Sequence, residues 1–264
     1  MYAISYEILP FRDAEESVLT HVPPAVPLTV TATEAKGLGP TLDLAVRLTG
    51  SGYTVSPHLA ARLVRDEQEL TDIVARLKDG GVDGVFVIGG DAPEPAGRFP
   101  DALSLLEALA ETGHHFRRVG IGGYPEGHGT IDRELIDRAL ALKTPHATHV
   151  ITQMCFDART TLAWARDVHL PVVVGLPGAV TRQKLIRISA GLGLGRSARF
   201  LRKQQNLAWR LLLPGYRPNR LIAQLAPHVG GLIAGFHLFT FNELAKTEAW
   251  RRSLPEPDSV GAGR

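Results

Sequence analysis

Short apolar, β-branched runs alternate with helix-type stretches along the whole chain, and most of the runs stop at a single polar residue. The first ends at Glu7, within Ser5-Tyr6-Glu7-Ile8-Leu9-Pro10-Phe11-Arg12. The next end at Thr31, at His58 after Tyr53-Thr54-Val55-Ser56-Pro57, and at Asp91 after Val85-Phe86-Val87-Ile88-Gly89-Gly90. Further ends fall at Tyr124 and Glu126, at Gln153, at a Gly175–Gly178 turn, and at His237. Eight such runs separated by helical patterns predict an α/β protein, a (β/α)8 TIM barrel, in which polar side chains at the carboxyl ends of the strands carry the chemistry.

Strands are expected at about 2–8, 27–32, 53–57, 83–89, 117–122, 148–153, 171–175 and 231–237. Helices are expected over Asp13–His21, Thr41–Leu48, Asp66–Lys78, Asp101–Glu111 and Ile131–Leu142, and from a cap at Asp157 to Asp167. The 66–78 helix places Leu70, Ile73, Val74 and Leu77 on one face and stops at Gly80-Gly81. The 101–111 helix is expected to bury Leu103, Leu106, Leu109 and Ala110. From 176 to 230 the gap between strands seven and eight is twice the usual length, helical and basic, with Arg196, Arg199, Arg202, Lys203, Arg210, Arg217 and Arg220 close together. It reads either as an outer helix pair with snorkelling stems or as an anion site. Gly191-Leu192-Gly193-Leu194-Gly195 has no strand immediately before it and reads as a helix-to-helix turn. No interior linker is visible, so residues 1–254 form one catalytic domain and 255–264 a disordered tail.

Composition narrows this picture. The 264 residues suit one barrel, and the 44% hydrophobic and 21% charged content is that of an ordinary globular protein. A net charge of +2 argues for neither nucleic acid nor membrane as a partner. The single Cys155 excludes an intrachain disulfide, and no His, Asp or Glu cluster has metal-ligand spacing, so no metal is expected. The start of the chain lacks the pattern of a signal peptide, and no apolar stretch approaches the ~20 residues of a membrane helix. A cytoplasmic location is the expectation; oligomeric state is left open.

Six motifs then occur in order, between residue 4 and about 245. Ser5 to Arg12 resembles the first-strand signature of methylenetetrahydrofolate reductases. Pro57-His58-Leu59 resembles their third-strand end, and Gly89-Gly90-Asp91-Ala92-Pro93 their Arg-Gly-Asp-x-Pro turn. Tyr124-Pro125-Glu126-Gly127-His128 is similar to Tyr-Pro-Glu-x-His. Ile151 to Asp157 resembles Ile-Thr-Gln-x-x-Phe-Asp, and Gly235 to Asn242 resembles Gly-x-His-Phe-Tyr-Thr-x-Asn. The resemblance implies reduction of 5,10-methylenetetrahydrofolate to 5-methyltetrahydrofolate by a nicotinamide hydride. It makes Glu7 the acid that protonates N10 and opens the ring to an electrophilic iminium. Such an acid needs a raised pKa, which desolvation at a covered barrel mouth provides. The plainer reading of Glu7 is an ion pair with Arg12. Asp91 and Gln153 are implied as folate contacts, with Thr31 beside them. The plainer readings are a turn aspartate before Pro93 and a rim amide. His58, Gly90, Tyr124, His128 and Lys143 match positions that line the cofactor.

Departures from the family's pattern concentrate on the flavin. Gly89 stands where flavin-binding members carry arginine, Val30-Thr31-Ala32 lacks Tyr-Gly-Ala, and Ile188 falls where a sandwiching aromatic is expected. The acid and pterin positions are better kept. The iminium can accept hydride directly from a nicotinamide, so the expectation is NADH, with NADPH possible and FAD doubtful, both substrates stacking over the mouth. The rival readings are an FAD-dependent reductase of the same reaction, a relative of the proline dehydrogenase group, and a folate- or partner-binding barrel without turnover.

Overall fold

A computed structural model describes residues 2–129, 131–178 and 218–254. Eight parallel strands close into a barrel in chain order. They are β1 (Ile4–Ile8), β2 (Leu28–Val30), β3 (Val55–Ala60), β4 (Gly84–Ile88), β5 (Arg118–Gly123), β6 (His149–Met154), β7 (Val172–Pro177) and β8 (Gly235–Phe239). Between and after them lie α1 (Ala14–His21), α2 (Gly39–Gly50), α3 (Glu67–Asp79), α4 (Ala102–Glu111), α5 (Arg133–Lys143), α6 (Ala158–Ala165), α7 (Pro218–Leu225) and α8 (Leu244–Arg252). The expected (β/α)8 TIM barrel is the observed fold. Of the basic residues in the 196–220 segment, Arg220, exposed on α7, is the one among the described residues. The Gly191–Gly195 turn, Ile188 and the tail 255–264 lie outside them.

The main core lies between the strands and the helices. On β1, Ile4, Tyr6 and Ile8 are buried, while Ser5 and Glu7 alternate with them toward the barrel interior. Leu70, Ile73, Val74 and Leu77 of α3 are all buried, as their spacing predicts. On α4 the buried residues are Ala102, Leu105, Leu106 and Leu109. Leu103 is only half-buried and Ala110 is exposed, because the helix presents its 102/105/106/109 face inward. Asp66, Asp101 and Asp157 cap α3, α4 and α6, accepting from Glu69 N (2.8 Å), Ser104 N (3.0 Å) and Thr160 N (2.7 Å). Each such cap stabilises its helix by about 1 kcal/mol. Gly80 and Gly81 end α3, with Gly81 at φ +71°.

Three strand ends differ from expectation. Pro57 does not end β3. Pairing to β2 stops there (Val30 with Pro57), but His58, Leu59 and Ala60 continue opposite Phe86, Val87 and Ile88 of β4. His58 is therefore a barrel-interior residue. Gly175 lies in β7 rather than a turn, since that strand pairs with β8 through Pro177. β8 begins at Gly235 instead of about 231, which puts His237 in mid-strand with only 1% of its surface exposed.

Candidate active site

The register defines what surrounds Glu7. In an eight-stranded barrel with a shear of eight, level residues step about one position forward per strand. Glu7 pairs with Thr29 and Thr29 with Ser56, so Glu7 is level with His58. The same rule continues from His58 through Phe86 and Gly120 to Gly122, and from Gly122 through Ile151 and Val173 to Gly175. It returns through His237 and Ser5 to Glu7. One layer is thus Glu7, His58, Gly122 and Gly175, an acid and an imidazole facing two residues without side chains. The layer beneath is Thr29, Phe86, Ile151 and His237, and the next is Ser5, Ser56, Gly120 and Val173. Barrel layers are usually filled by branched apolar side chains; this interior is polar.

Burial pushes the Glu7 carboxyl from its ordinary 4.5 up to about 8, so it holds a proton at neutral pH. Its titratable neighbour is His58, whose Nε2 stands 3.9 Å from Glu7 Oε2. Among the described residues Arg12 forms no ion pair with Glu7. His58 is neutral, its pKa lowered by burial to about 3, and its Nε2 is buried without a hydrogen-bond partner. The His58 and Phe86 rings lie 4.8 Å apart. A protonated carboxyl beside a neutral imidazole is an arrangement that can deliver a proton toward the mouth.

The closing motif holds the acid's strand in place. Thr240 Oγ1 donates to the Glu7 carbonyl (2.6 Å). Asn242 accepts from Leu9 N and donates to Leu9 O, each at 2.9 Å. This turn takes Phe241 and Asn242 into the left-handed region, at φ 50° and 56°. Behind the strand, the Tyr6 hydroxyl donates to Glu248 (2.8 Å), which also accepts from Arg251 and Arg252. Burial pushes the Glu248 carboxyl up, but the three donors outweigh it and hold the carboxyl down at about 2.

A second group sits on the β4, β5 and β6 ends. Gly90 needs its φ of +89°, and a Cβ there would come within 3.1 Å of Ala60 Cβ. Asp91 is exposed and close enough to Tyr124 to raise that phenol's pKa, second to burial. Asp101, not Asp91, caps the following helix. The Tyr124 and His128 rings meet edge-on at 5.4 Å. Lys143 is buried at the end of α5, its pKa lowered by burial, with Nζ 3.5 Å from the Gly122 carbonyl. Glu126 accepts from Phe156 N (2.6 Å) and Asp157 N (2.8 Å), tying the β5 loop to the β6 loop. A register shift between Ile151 and Met154 marks a bulge at Gln153. Thr152 Oγ1 braces it, accepting from Gly175 N at 2.8 Å. A Cβ on Gly175 would run into the Thr152 carbonyl and the Phe239 ring, which is why glycine stands there. Thr31, at the end of β2, keeps its Oγ1 buried without a hydrogen-bond partner.

The structure thus brings Glu7 together with His58, and Asp91 with Tyr124 and His128. It also reveals residues not singled out from the sequence. Arg62, just after β3, donates to the carbonyls of Ala92 (2.6 Å), Pro93 (2.6 Å) and Pro100 (2.9 Å), and so shapes the Asp91 loop. No sequence signal marks it. Asn242 could have been found, since asparagine is one of the few residues that tolerate the left-handed turn. His149 was hidden by its place at the amino end of a strand. Among the described residues no group of three or more His, Cys, Asp or Glu side chains is arranged to hold a metal ion, and no helix is long and apolar enough to cross a membrane.

Solved structures share the barrel at low identity. A 2,3-dimethylmalate lyase of the PEP mutase/isocitrate lyase superfamily is 8% identical, with a TM-score of 0.54, covering 95% of this chain and 80% of its own. The tryptophan synthase alpha subunit of Legionella pneumophila is 12% identical, with a TM-score of 0.52 and coverages of 97% and 87%. A glycerol uptake operon antiterminator regulatory protein of Listeria monocytogenes is 11% identical, with a TM-score of 0.50 and coverages of 89% and 91%. These likenesses, spread over enzymes and a regulator, speak for the fold alone. A family model described as methylenetetrahydrofolate reductase matches residues 23–176, more than half of the chain, from before β2 through β7 but for Pro177. The chain therefore belongs to the methylenetetrahydrofolate reductase family, oxidoreductases that act on methylenetetrahydrofolate.

Proposed function

We propose that this protein reduces 5,10-methylenetetrahydrofolate to 5-methyltetrahydrofolate with hydride taken directly from NADH, Glu7 being the general acid. The observation that carries this reading is the Glu7 carboxyl, half-buried in the barrel 3.9 Å from the His58 ring and pushed by desolvation up to about 8. It gives its proton to N10, and the bond between N10 and the methylene carbon breaks. The 5-iminium then accepts hydride from C4 of the dihydronicotinamide. Methyl-tetrahydrofolate and NAD⁺ leave, and one proton has been consumed. Asp91 accepts from the pterin's 2-amino edge, Gln153 pairs with the ring's amide edge, and the unpartnered Thr31 hydroxyl turns to the folate. His58 lies beneath the stacked rings, while Gly90, Tyr124, His128 and Lys143 flank the nicotinamide. Stacking both substrates over one mouth supplies orientation in place of a covalent intermediate.

Members of the family use NAD(P)H and FAD. The residues here fit a resident flavin poorly. Gly89 offers no cation where the flavin-binding pattern has arginine, and Arg62 nearby is engaged with three backbone carbonyls. The second reading, an FAD-dependent reductase of the same reaction, draws on the kept Gly90-Asp91 and Tyr124/His128 group. An absorbance scan of the purified protein, followed by NADH oxidation with methylenetetrahydrofolate and no added flavin, separates them. Turnover by a colourless protein supports direct transfer. A flavin band that bleaches with NADH overturns it in favour of the second reading. Absence of both band and turnover, with FAD added, points to a binding barrel.

A further inference from the structure

The reaction proposed above consumes one proton per turnover, so Glu7 must be recharged from water each cycle. Two stacked ring systems over the mouth would obstruct the direct route. Beneath Glu7 the barrel offers another. His58 Nε2 is 3.9 Å from the carboxylate and has no other partner, though 94% of the residue is buried. The groups against it are Glu7 and the Phe86 ring, and the barrel register places His237 in the layer below. His237 uses both ring nitrogens: Nδ1 is 2.7 Å from Ser5 Oγ and Nε2 is 3.4 Å from Thr29 Oγ1. Burial first, and then the neighbouring imidazoles of His58 and His149, lower its pKa. The His149 ring reaches inward across Gly120, where a Cβ would stand 2.7 Å from its Nε2. Its Nδ1 is 2.9 Å from the hydroxyl of Thr148, an exposed residue at the amino end of β6.

We propose that His58 and His237 relay the proton that recharges Glu7, along a polar barrel core that meets solvent at His149 and Thr148. The inference rests on the reductase reading. In each relay step one ring nitrogen of His58 gives its proton to Glu7 Oε2 while the other takes one from the column, so the imidazole ends neutral with its tautomer exchanged. A proton entering at Thr148 balances the one that N10 keeps. Neutral imidazoles of low proton affinity suit this role, since they pass a proton on without trapping it. His237 touches no substrate in this account; it acts through His58 and Glu7.

The test compares single-turnover and steady-state kinetics for wild type, His237→Gln and His237→Asn. The first turnover uses the proton already on Glu7. A relay variant should keep the single-turnover hydride-transfer rate within about twofold while kcat falls about tenfold or more, exposing a burst of one NAD⁺ per site. An unchanged kcat, or an equal loss in both rates, overturns the relay. Should the variants fail to fold, the dependence of wild-type kcat on deuterium fraction decides. A bowed curve means several protons in flight and supports the relay, and a linear or absent dependence overturns it. Wild type that oxidises NADH with indifferent variants sinks the relay alone; wild type that oxidises none sinks the reductase reading and the relay with it.

Discussion

Asn242 grips Leu9 with both ends of its amide, accepting from the backbone N–H and donating to the carbonyl at 2.9 Å each. The two residues are distant in sequence, yet this pair fixes the chain two residues beyond Glu7. The Thr240 hydroxyl bonds the Glu7 carbonyl itself. The end of β8 therefore sets where the acid on β1 stands, and the left-handed backbone at Phe241 and Asn242 is tolerated for that purpose.

Asn242→Ala is predicted to lose both bonds and asparagine's tolerance of a positive φ, costing about 2–3 kcal/mol in chemical denaturation. Asn242→Gly relieves the backbone part and should recover a portion of the stability. Both variants should lose kcat through a misplaced Glu7. An Asn242→Gly protein with full kcat would show that the clasp does not position the acid.

Glu7→Gln removes the proton donor at nearly constant volume. A loss of about 10²–10⁴ in kcat is expected, with little change in folate affinity measured by equilibrium binding. For wild type, the rate should be high below pH 8 and fall as pH rises through about 8, where the carboxyl loses its proton. A profile flat from neutral pH through the alkaline range would remove Glu7 as the acid.

Much of this was legible in the sequence because a barrel writes itself as apolar runs at regular spacing. The cap at Asp157 and the apolar face of α3 follow from local rules. Glu7, Asp91, Gln153 and Tyr124 could be singled out because motifs place them at strand ends. His58 and His237 were misplaced at the ends because the apolar run alone does not show where a strand stops; that depends on pairing to both neighbours. The polar layers were illegible for a related reason. Ser5, Thr29, Ser56, His149 and His237 come from five different strands, and only the closed register brings them into one column.

Gly175→Ala is predicted to be strongly destabilising, although its position first reads as an adaptable turn. The new methyl would press on the Thr152 carbonyl and the Phe239 ring, and neither can retreat without breaking the β6 bulge or the β7–β8 pairing. A cost of about 2 kcal/mol or more is expected, measured by thermal unfolding, with loss of folate binding because the bulge carries Gln153. Gly89→Ala is the control. Its Cβ would find only Ala102 N at 4.0 Å, so it should unfold like wild type.

Stability should depend on pH through opposing groups. His58 and His237 are depressed to about 3 and His149 to about 4, from 6.5. The unfolded chain binds protons that the folded one refuses, so their contribution is full above about 6.5 and is lost as pH falls toward 3–4. Between pH ~7 and pH ~5 this amounts to on the order of 2 kcal/mol per buried histidine. Glu7 runs the other way. Its folded pKa of about 8 lies above the ordinary 4.5, so its contribution is full below 4.5 and is lost as pH rises through 8. In wild type the carboxyl partly offsets the histidines on acidification. Glu7→Gln removes that offset. The variant should be more stable than wild type near pH 8, by about 2–5 kcal/mol, and should lose stability more steeply toward pH 5 in urea titrations. Parallel pH–stability curves for the two proteins would mean that Glu7 is not held protonated in the folded state, and the general-acid assignment would fall with that result.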